Sequence, residues 1–155
     1  MIRRMVIDMQ SVQSPSQDKC YQEILESFCD EILNLDPKIR FAGIINDKGK
    51  LLAENKRKEL KVFIDPKDLE ILLMETALGV RMRREHDAQL GPVNFIISYG
   101  RNMISIIFPL KTEMLCVSAE KDLDFFKIPF LILHLLEMKI TKKVEVICKN
   151  QLEYQ

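Results

Sequence analysis

The sequence predicts an α/β domain of the α+β type, in which helices cover both faces of a central five-stranded antiparallel sheet in the order α-β-β-α-β-β-β-α. Two groups of short apolar segments are joined by tight turns, so the strands inside each group must be antiparallel. Segments with an apolar stripe at helical spacing precede, separate and follow these groups. Residues 95–97 and 106–108 are apolar at consecutive positions, which is typical of a sheet buried on both faces. We therefore expect one helix on one face and two on the other.

Length and composition favour one folded domain. The chain has 155 residues, 47% of them hydrophobic, and its 23 basic residues balance its 23 acidic residues. The apolar content argues against intrinsic disorder, and zero net charge gives no overall attraction for nucleic acid or an anionic membrane. Residues 1–15 show no sustained periodicity, so we expect a flexible N-terminal arm followed by a single domain over residues 16–155.

The first helix is predicted to begin near Ser16, which can cap it, with Asp18 in the positive first turn. It should stop at Asp36, because the following proline disfavours the helical conformation there. Its apolar residues form one stripe at spacings of three and four. They are Tyr21, Ile24, Leu25, Phe28, Ile32 and Leu35.

A β-hairpin is predicted next, with strands at residues 41–45 and 50–54. The intervening Asn46-Asp47-Lys48-Gly49 consists of turn-forming residues, and its glycine can adopt a positive φ. The basic residues 56–61 indicate an exposed connection to the second helix.

The second helix has the clearest start in the chain. Asp65 suits the N-cap, Pro66 suits the first helical position, and Asp68 places negative charge in the first turn. The helix is expected to run to Leu90 and to end at the following Gly-Pro pair.

Three further strands are predicted at residues 93–99, 103–110 and 113–120, with Pro109 ending the middle strand or forming a bulge. A last helix, apolar on most sides, is expected over about residues 127–140. Residues 144–148 fit either a short strand or a helical extension.

The second helix has two apolar stripes on nearly opposite sides. One stripe can cover the sheet and contains Leu69, Leu72, Leu73, Thr76 and Val80. The other contains Ile71, Met74, Leu78 and Met82. An exposed apolar stripe usually marks an interface, so we expect contact with a second copy under two-fold symmetry. The alternative is that residues 1–15 or 141–155 fold back over this stripe.

The stretch FAGIINDKGKLLA at residues 41–53, taken with this element order, resembles the roadblock (dynein light chain) family, whose fold is similar to profilin and PAS domains. The resemblance implies a non-catalytic homodimeric scaffold that binds or regulates a Ras-like small GTPase or acts in a signalling complex. It also implies that the second helices meet and that the third strands, here containing Phe95 and Ile97, pair edge to edge.

Residues 28–136 are also similar to a small archaeal family of uncharacterised proteins. The matching stretches are residues 35–43, 80–83, 89–93 and 117–122. That resemblance carries no assigned activity.

The sequence lacks the motifs of several enzyme classes, so we expect no catalysis, cofactor or metal. It contains no GxxxxGK[ST] phosphate loop, no HExxH and no Cys/His cluster at metal-ligand spacing. The alternative function is a PAS-like sensory domain with a small ligand bound between sheet and helix. An apolar pocket with a few polar groups would favour it.

Two basic clusters are candidates for docking an acidic protein or a phosphate-bearing ligand. They contain Lys56, Arg57, Lys58, Arg81, Arg83, Arg84 and His86. The simpler interpretation of the second cluster is a solvated face that stabilises a helix C-terminus.

Localisation is expected to be cytoplasmic, because neither a signal peptide nor a membrane-spanning segment is recognisable. Cys20, Cys29 and Cys116 lie among apolar neighbours and are expected to be reduced core thiols. His134 is expected to be a core or interface histidine.

Overall fold

A computed structural model describes residues 15–58 and 64–139. Its elements are α1 (Pro15–Leu33), β1 (Ile39–Ile45), β2 (Leu51–Lys56), α2 (Pro66–Arg84), α3 (Asp87–Leu90), β3 (Ile96–Tyr99), β4 (Ile104–Pro109) and β5 (Met114–Ala119). A last helix, α4, covers residues 128–139. Apart from Pro15, the predicted arm lies outside the described residues, as do residues 144–148.

The five strands form one antiparallel sheet in the order β2-β1-β5-β4-β3, which confirms the predicted class. In the centre, Val117 of β5 pairs with Ala42 of β1 on one side and with Ile106 of β4 on the other. The β2 and β3 strands form the two edges.

The helices cover both faces of the sheet. On one face, α1 and α4 contribute Cys29, Ile32 and Ile132 to the larger core. On the other face, α2 packs Leu73, Ala77 and Val80 over a smaller core. One helix on one face and two on the other is the predicted arrangement, and it follows from strands that are apolar at consecutive positions.

The turn between β4 and β5 is tied to α1 through a buried carboxylate. Glu113 accepts a hydrogen bond from the Tyr21 hydroxyl at 3.2 Å and one from the Thr112 hydroxyl at 2.7 Å. Burial and the adjacent Glu113 charge raise the pKa of Tyr21 well above its usual value, so this phenol stays protonated as a donor.

The prediction that α2 continues to Leu90 was wrong. The helix ends at Arg84 because the next two amide groups bond three residues back, from Glu85 to Met82 and from His86 to Arg83. The single turn of α3 follows and ends before Gly91, whose φ of 79° suits glycine.

Strand ends differ from the prediction by at most three residues. The largest difference is β3, which begins at Ile96 rather than at residue 93. Pro109 is the last residue of β4, as predicted from its missing N–H. A short β3 leaves an edge of only four residues on this side of the sheet.

Candidate functional site

The first turn of α2 determines which side chains of this helix face away from the sheet, and those side chains form the candidate surface. The Asp65 carboxylate caps the helix by accepting from the Lys67 N–H at 2.9 Å, and Pro66 occupies the first helical position. Both features were predicted, and both fix where the helical periodicity begins.

The side of α2 opposite the sheet is apolar and exposed. We call Ile71, Met74, Leu78 and Met82 the outer stripe; their exposed fractions are 55%, 58%, 49% and 62%. At 100° per residue they lie opposite the buried Leu73, Ala77 and Val80. The exposure is as predicted from the sequence, apart from Leu72, which was assigned to the stripe that covers the sheet but is also exposed.

The β1–β2 turn packs against the backbone of α2. Asn46 Oδ1 accepts from the backbone N–H groups of Lys48 and Lys50 at 3.0 and 2.9 Å. The next glycine, Gly49, has a φ of 83°, and a Cβ there would lie 2.6 Å from the Met74 Cα. The turn therefore contacts the helix backbone directly beneath the outer stripe.

The edge strand β3 divides its side chains between the two faces. Phe95 and Ile97 pack against the core shared by α1 and α4. Ile96 instead pairs with Ile107, which belongs to the α2 core, so Ile96 lies on the α2 side. Sequence reasoning missed Ile96 because residues 95–97 are all apolar and show no alternation.

The two basic clusters lie at opposite ends of the sheet. Lys56 pairs with Phe41 near the start of β1. Arg84 donates to the backbone after Pro109, which is level with the end of β1 at Ile45. Phe41 and Ile45 are four residues apart, which separates the clusters by roughly 13 Å along the strand direction, so the structure does not bring them together.

Three of the basic side chains are already engaged with the protein backbone. The Arg57 guanidinium donates to the carbonyls of Leu33, Asp36 and Ile39 at 2.6, 3.0 and 2.7 Å. Arg83 donates to Asp87 and Gly91, and Arg84 donates to Leu110 and Lys111. Exposed side chains remain at Lys56, Lys58, Arg81 and His86. These contacts assign Arg57, Arg83 and Arg84 structural roles that their sequence neighbours do not reveal.

Arg57→Met is expected to lower the free energy of unfolding by about 2–3 kcal/mol, because partly buried carbonyls lose their donor. The measurement is urea denaturation followed by circular dichroism. Lys58→Met, at an exposed neighbour, is the matched control and should change stability by less than about 0.5 kcal/mol. Equal stability of the two variants would contradict the structural role of Arg57.

A cleft of about 510 Å³ lies between the C-terminal end of α2 and α4, with Val80, Pro109 and Leu136 in its walls. Arg83 and Asp87 also line it, and their side chains bond to each other at 3.1 Å. The cleft is at one end of the sheet. The sensory alternative places a ligand between the sheet and a helix. On the side of α1 and α4, fully buried side chains fill that space, including Ile32, Ile106 and Ile132.

The thiols and His134 differ in burial. Burial raises the pKa of the Cys116 thiol to about 12, and burial with nearby carboxylates raises that of Cys29 to about 12, so neither is a thiolate near neutral pH. Cys20 is exposed, so its assignment to the core was wrong, because it lies on the outer side of α1. His134 is also exposed rather than in the core.

Residues 15–58 and 64–139 contain no group of three side chains placed to hold a metal ion. None of the helices in these two ranges is long and apolar enough to span a membrane.

A sequence-family model described as a family of unknown function, DUF6659, matches residues 19–149. No curated protein matches the chain in sequence.

Solved structures share the fold at low sequence identity. The roadblock/LC7 domain of Streptomyces avermitilis is 11% identical with a TM-score of 0.59, covering 78% of this chain and 98% of that chain. MglB of Myxococcus xanthus is 14% identical with a TM-score of 0.61, covering 79% and 96%. The gliding protein MglB of Thermus thermophilus is 15% identical with a TM-score of 0.62, covering 88% and 99%. The fold is therefore roadblock-like, as the residues of the hairpin predicted.

Proposed function

The chain belongs to DUF6659, a family of unknown function, and has a roadblock-like fold; from this premise we propose that it is a non-catalytic interaction domain that forms homodimers through α2. The observation that carries the proposal is the outer stripe. Four large apolar side chains on one helix face are about half exposed in the single chain. A contiguous apolar stripe of this kind is typical of a protein–protein contact.

A two-fold contact would use the outer stripe of both copies. In an antiparallel pair with the axis near Thr76, Met74 of one copy comes opposite Leu78 of the partner subunit. Burying the exposed half of each side chain is worth on the order of 1 kcal/mol. Eight such side chains supply a driving force within the range of the cost of association, roughly 4–15 kcal/mol.

A second contact of the same dimer is proposed along β3. Among the described residues no strand pairs with the outer side of this edge strand, and strand addition there would extend the sheet into the second copy. Ile96 would join the outer stripe on the α2 side. Phe95 and Ile97, which were predicted for the interface, would contribute on the opposite face.

The role of the dimer is proposed to be that of a scaffold or regulator. Support comes from the resemblance to the roadblock family, whose members commonly bind or regulate Ras-like small GTPases. A small GTPase is therefore the first partner to be tested.

The solution mass across a dilution series is expected to equal twice 18.1 kDa. Multi-angle light scattering on the full chain is the measurement. A mass of one chain at every concentration would contradict the proposal and would favour the alternative that residues 1–15 or 141–155 cover the outer stripe.

A further inference from the structure

Charged side chains border the outer stripe of α2. Glu70 and Arg81 lie on one flank of the stripe, and Glu75 lies on the other. Lys67 and Glu85 lie beyond its two ends. All five are exposed, and within residues 15–58 and 64–139 none of them takes part in an ion pair. Whatever covers the stripe must therefore meet these charges.

Glu70 and Arg81 lie on the same flank, near opposite ends of the stripe. They are eleven residues apart, which is close to three full turns of about 3.6 residues, so they point to one side of the helix. Glu70 is six residues before Thr76, and Arg81 is five residues after it. At about 1.5 Å per residue, the two positions are about 9 and 7.5 Å from Thr76 along the helix. The acidic and the basic residue are thus almost equally far from the middle of the stripe.

A two-fold axis near Thr76 would bring these opposite charges together. For an antiparallel pair the axis is perpendicular to the helices, and it places each flank of α2 beside the same flank of the partner helix. It also exchanges the two ends of the helix. Glu70 would then come level with Arg81 of the partner subunit, to within about 1.5 Å along the helix. The symmetry produces this contact twice, once on each side of the axis.

The charges beyond the ends of the stripe are complementary under the same axis. Lys67 is nine residues before Thr76, and Glu85 is nine residues after it. Glu85 is the C-cap residue and keeps helical φ and ψ of −57° and −22°. Lys67 and Glu85 are eighteen residues apart, which is about five full turns, so they lie on the same side of the helix. Lys67 of one copy would therefore face Glu85 of the partner subunit, again twice.

The other charges of α2 change this balance little. Glu75 lies beside the axis, where its two copies would approach each other, and this contact opposes association. Asp68 and His86 lie at opposite ends of the helix, so the axis would place them near each other and add no repulsion. Arg83 and Arg84 are half-buried and donate to groups of their own chain. Four complementary contacts therefore stand against one repulsive contact.

A parallel arrangement of two copies would have the opposite effect. It would place the first half of α2 beside the first half of the partner helix. Residues 67–75 carry three acidic side chains against one lysine, so the acidic ends would repel each other. The order of charges along α2 thus favours the antiparallel orientation.

We propose, on the basis of the dimer proposed above, that the charges around the outer stripe select a second copy of this chain in the antiparallel orientation. The apolar stripe supplies the buried area, and the flanking charges determine the orientation and the choice of partner. Glu70 and Arg81 of the partner subunit act as the charged positions beside a coiled-coil seam do. Helices with another order of charges are disfavoured because they place like charges together.

Charge reversal on one flank tests the pairing. Glu70→Arg and Arg81→Glu should each raise the dissociation constant of the dimer by about tenfold or more, because each replaces two ion pairs with two like-charge contacts. The double variant Glu70→Arg/Arg81→Glu should return to within about threefold of the unchanged chain. Sedimentation equilibrium of the full chain measures all four constants. Recovery in the double variant would also show that the single substitutions act on association and not on folding.

Glu23→Arg is the matched control. Glu23 is exposed on α1, which lies on the other face of the sheet, and the substitution changes the net charge by the same amount as Glu70→Arg. Its dissociation constant should equal that of the unchanged chain.

Mixing the two single variants tests the contact between copies directly. A chain with Glu70→Arg and a chain with Arg81→Glu would together restore both attractive contacts. Energy transfer between labelled chains should therefore show a mixed dimer about tenfold tighter than either variant forms with itself. Rising salt should weaken the unchanged dimer but strengthen the Glu70→Arg dimer, because screening removes attraction in one and repulsion in the other.

Neutral substitutions separate a specific pair from a general effect of acidic charge. Glu70→Gln should weaken the dimer, because it removes two ion pairs. Glu75→Gln should tighten it, because it removes the one repulsive contact near the axis. Equal weakening by both variants would overturn the pairing of Glu70 with Arg81 of the partner subunit.

Failure of the dimer and failure of the charge pairing give different results. A monomeric mass of the unchanged chain at every concentration would remove the dimer and the pairing together. A dimeric unchanged chain that tolerates Glu70→Arg, or a double variant as weak as the single ones, would leave the dimer in place and overturn the pairing. Dissociation of the dimer by a peptide of residues 140–155 would identify that segment as the occupant and would also overturn it.

Discussion

Met74→Glu/Leu78→Glu is expected to convert the proposed dimer into a folded monomer and to raise its dissociation constant at least a thousandfold. Both side chains lie at the centre of the outer stripe and are about half exposed in the single chain. The substitutions therefore cost the monomer little. In the dimer, four carboxylates would lose hydration near the two-fold axis and repel one another, at several kcal/mol in total.

Light scattering at matched concentrations measures this effect, and thermal melting shows whether the variant is folded. Ile24→Glu is the matched control, because Ile24 is 56% exposed on α1, on the opposite side of the sheet. Its mass should remain that of the dimer. An unchanged mass for the α2 double variant would remove α2 from the interface.

Gly49→Val is expected to lower the free energy of unfolding by about 3 kcal/mol or more. A φ of 83° costs a non-glycine residue roughly 1–2 kcal/mol. The added Cβ would also lie 2.6 Å from the Met74 Cα and 2.7 Å from the Leu73 carbonyl oxygen. Both are backbone atoms, so relief requires α2 or the turn to move.

Chemical denaturation measures the loss, with Gly79→Ala as the control. Gly79 lies in α2, and a Cβ there meets nothing within 4 Å. Alanine should therefore stabilise the helix by about 0.5–1 kcal/mol. If Gly49→Val unfolded at the same denaturant concentration as the unchanged chain, the close contact between turn and helix would be disproved.

Local signals account for most of the fold that could be predicted. The Asp65-Pro66 start of α2, the turn after Asn46 and the end of β4 at Pro109 each depend on residues within four positions of one another. The end of α2 was not predictable in this way. The Gly-Pro pair at residue 91 marks the end of the whole helical region, but the break at Glu85 has no such residue.

In the candidate site, too, the features set by local spacing were predictable and those set by distant contacts were not. Helical periodicity was sufficient to predict that the outer stripe would be exposed, although it placed the exposed Leu72 on the side that covers the sheet. The sequence did not show which basic residues bond to the backbone, since the carbonyls that Arg57 contacts lie 18 to 24 residues away. Charge alone does not distinguish a docking side chain from one that bonds to the backbone.

The sequence by itself determined the elements, their antiparallel pairing within each group and the two-sided apolar character of α2, because these follow from short-range sterics and periodicity. Tertiary structure alone decided the strand order, the assignment of Ile96 and Ile97 to opposite faces, and the engagement of Arg57 and Arg84. These depend on contacts between residues distant in sequence, and no local pattern encodes them.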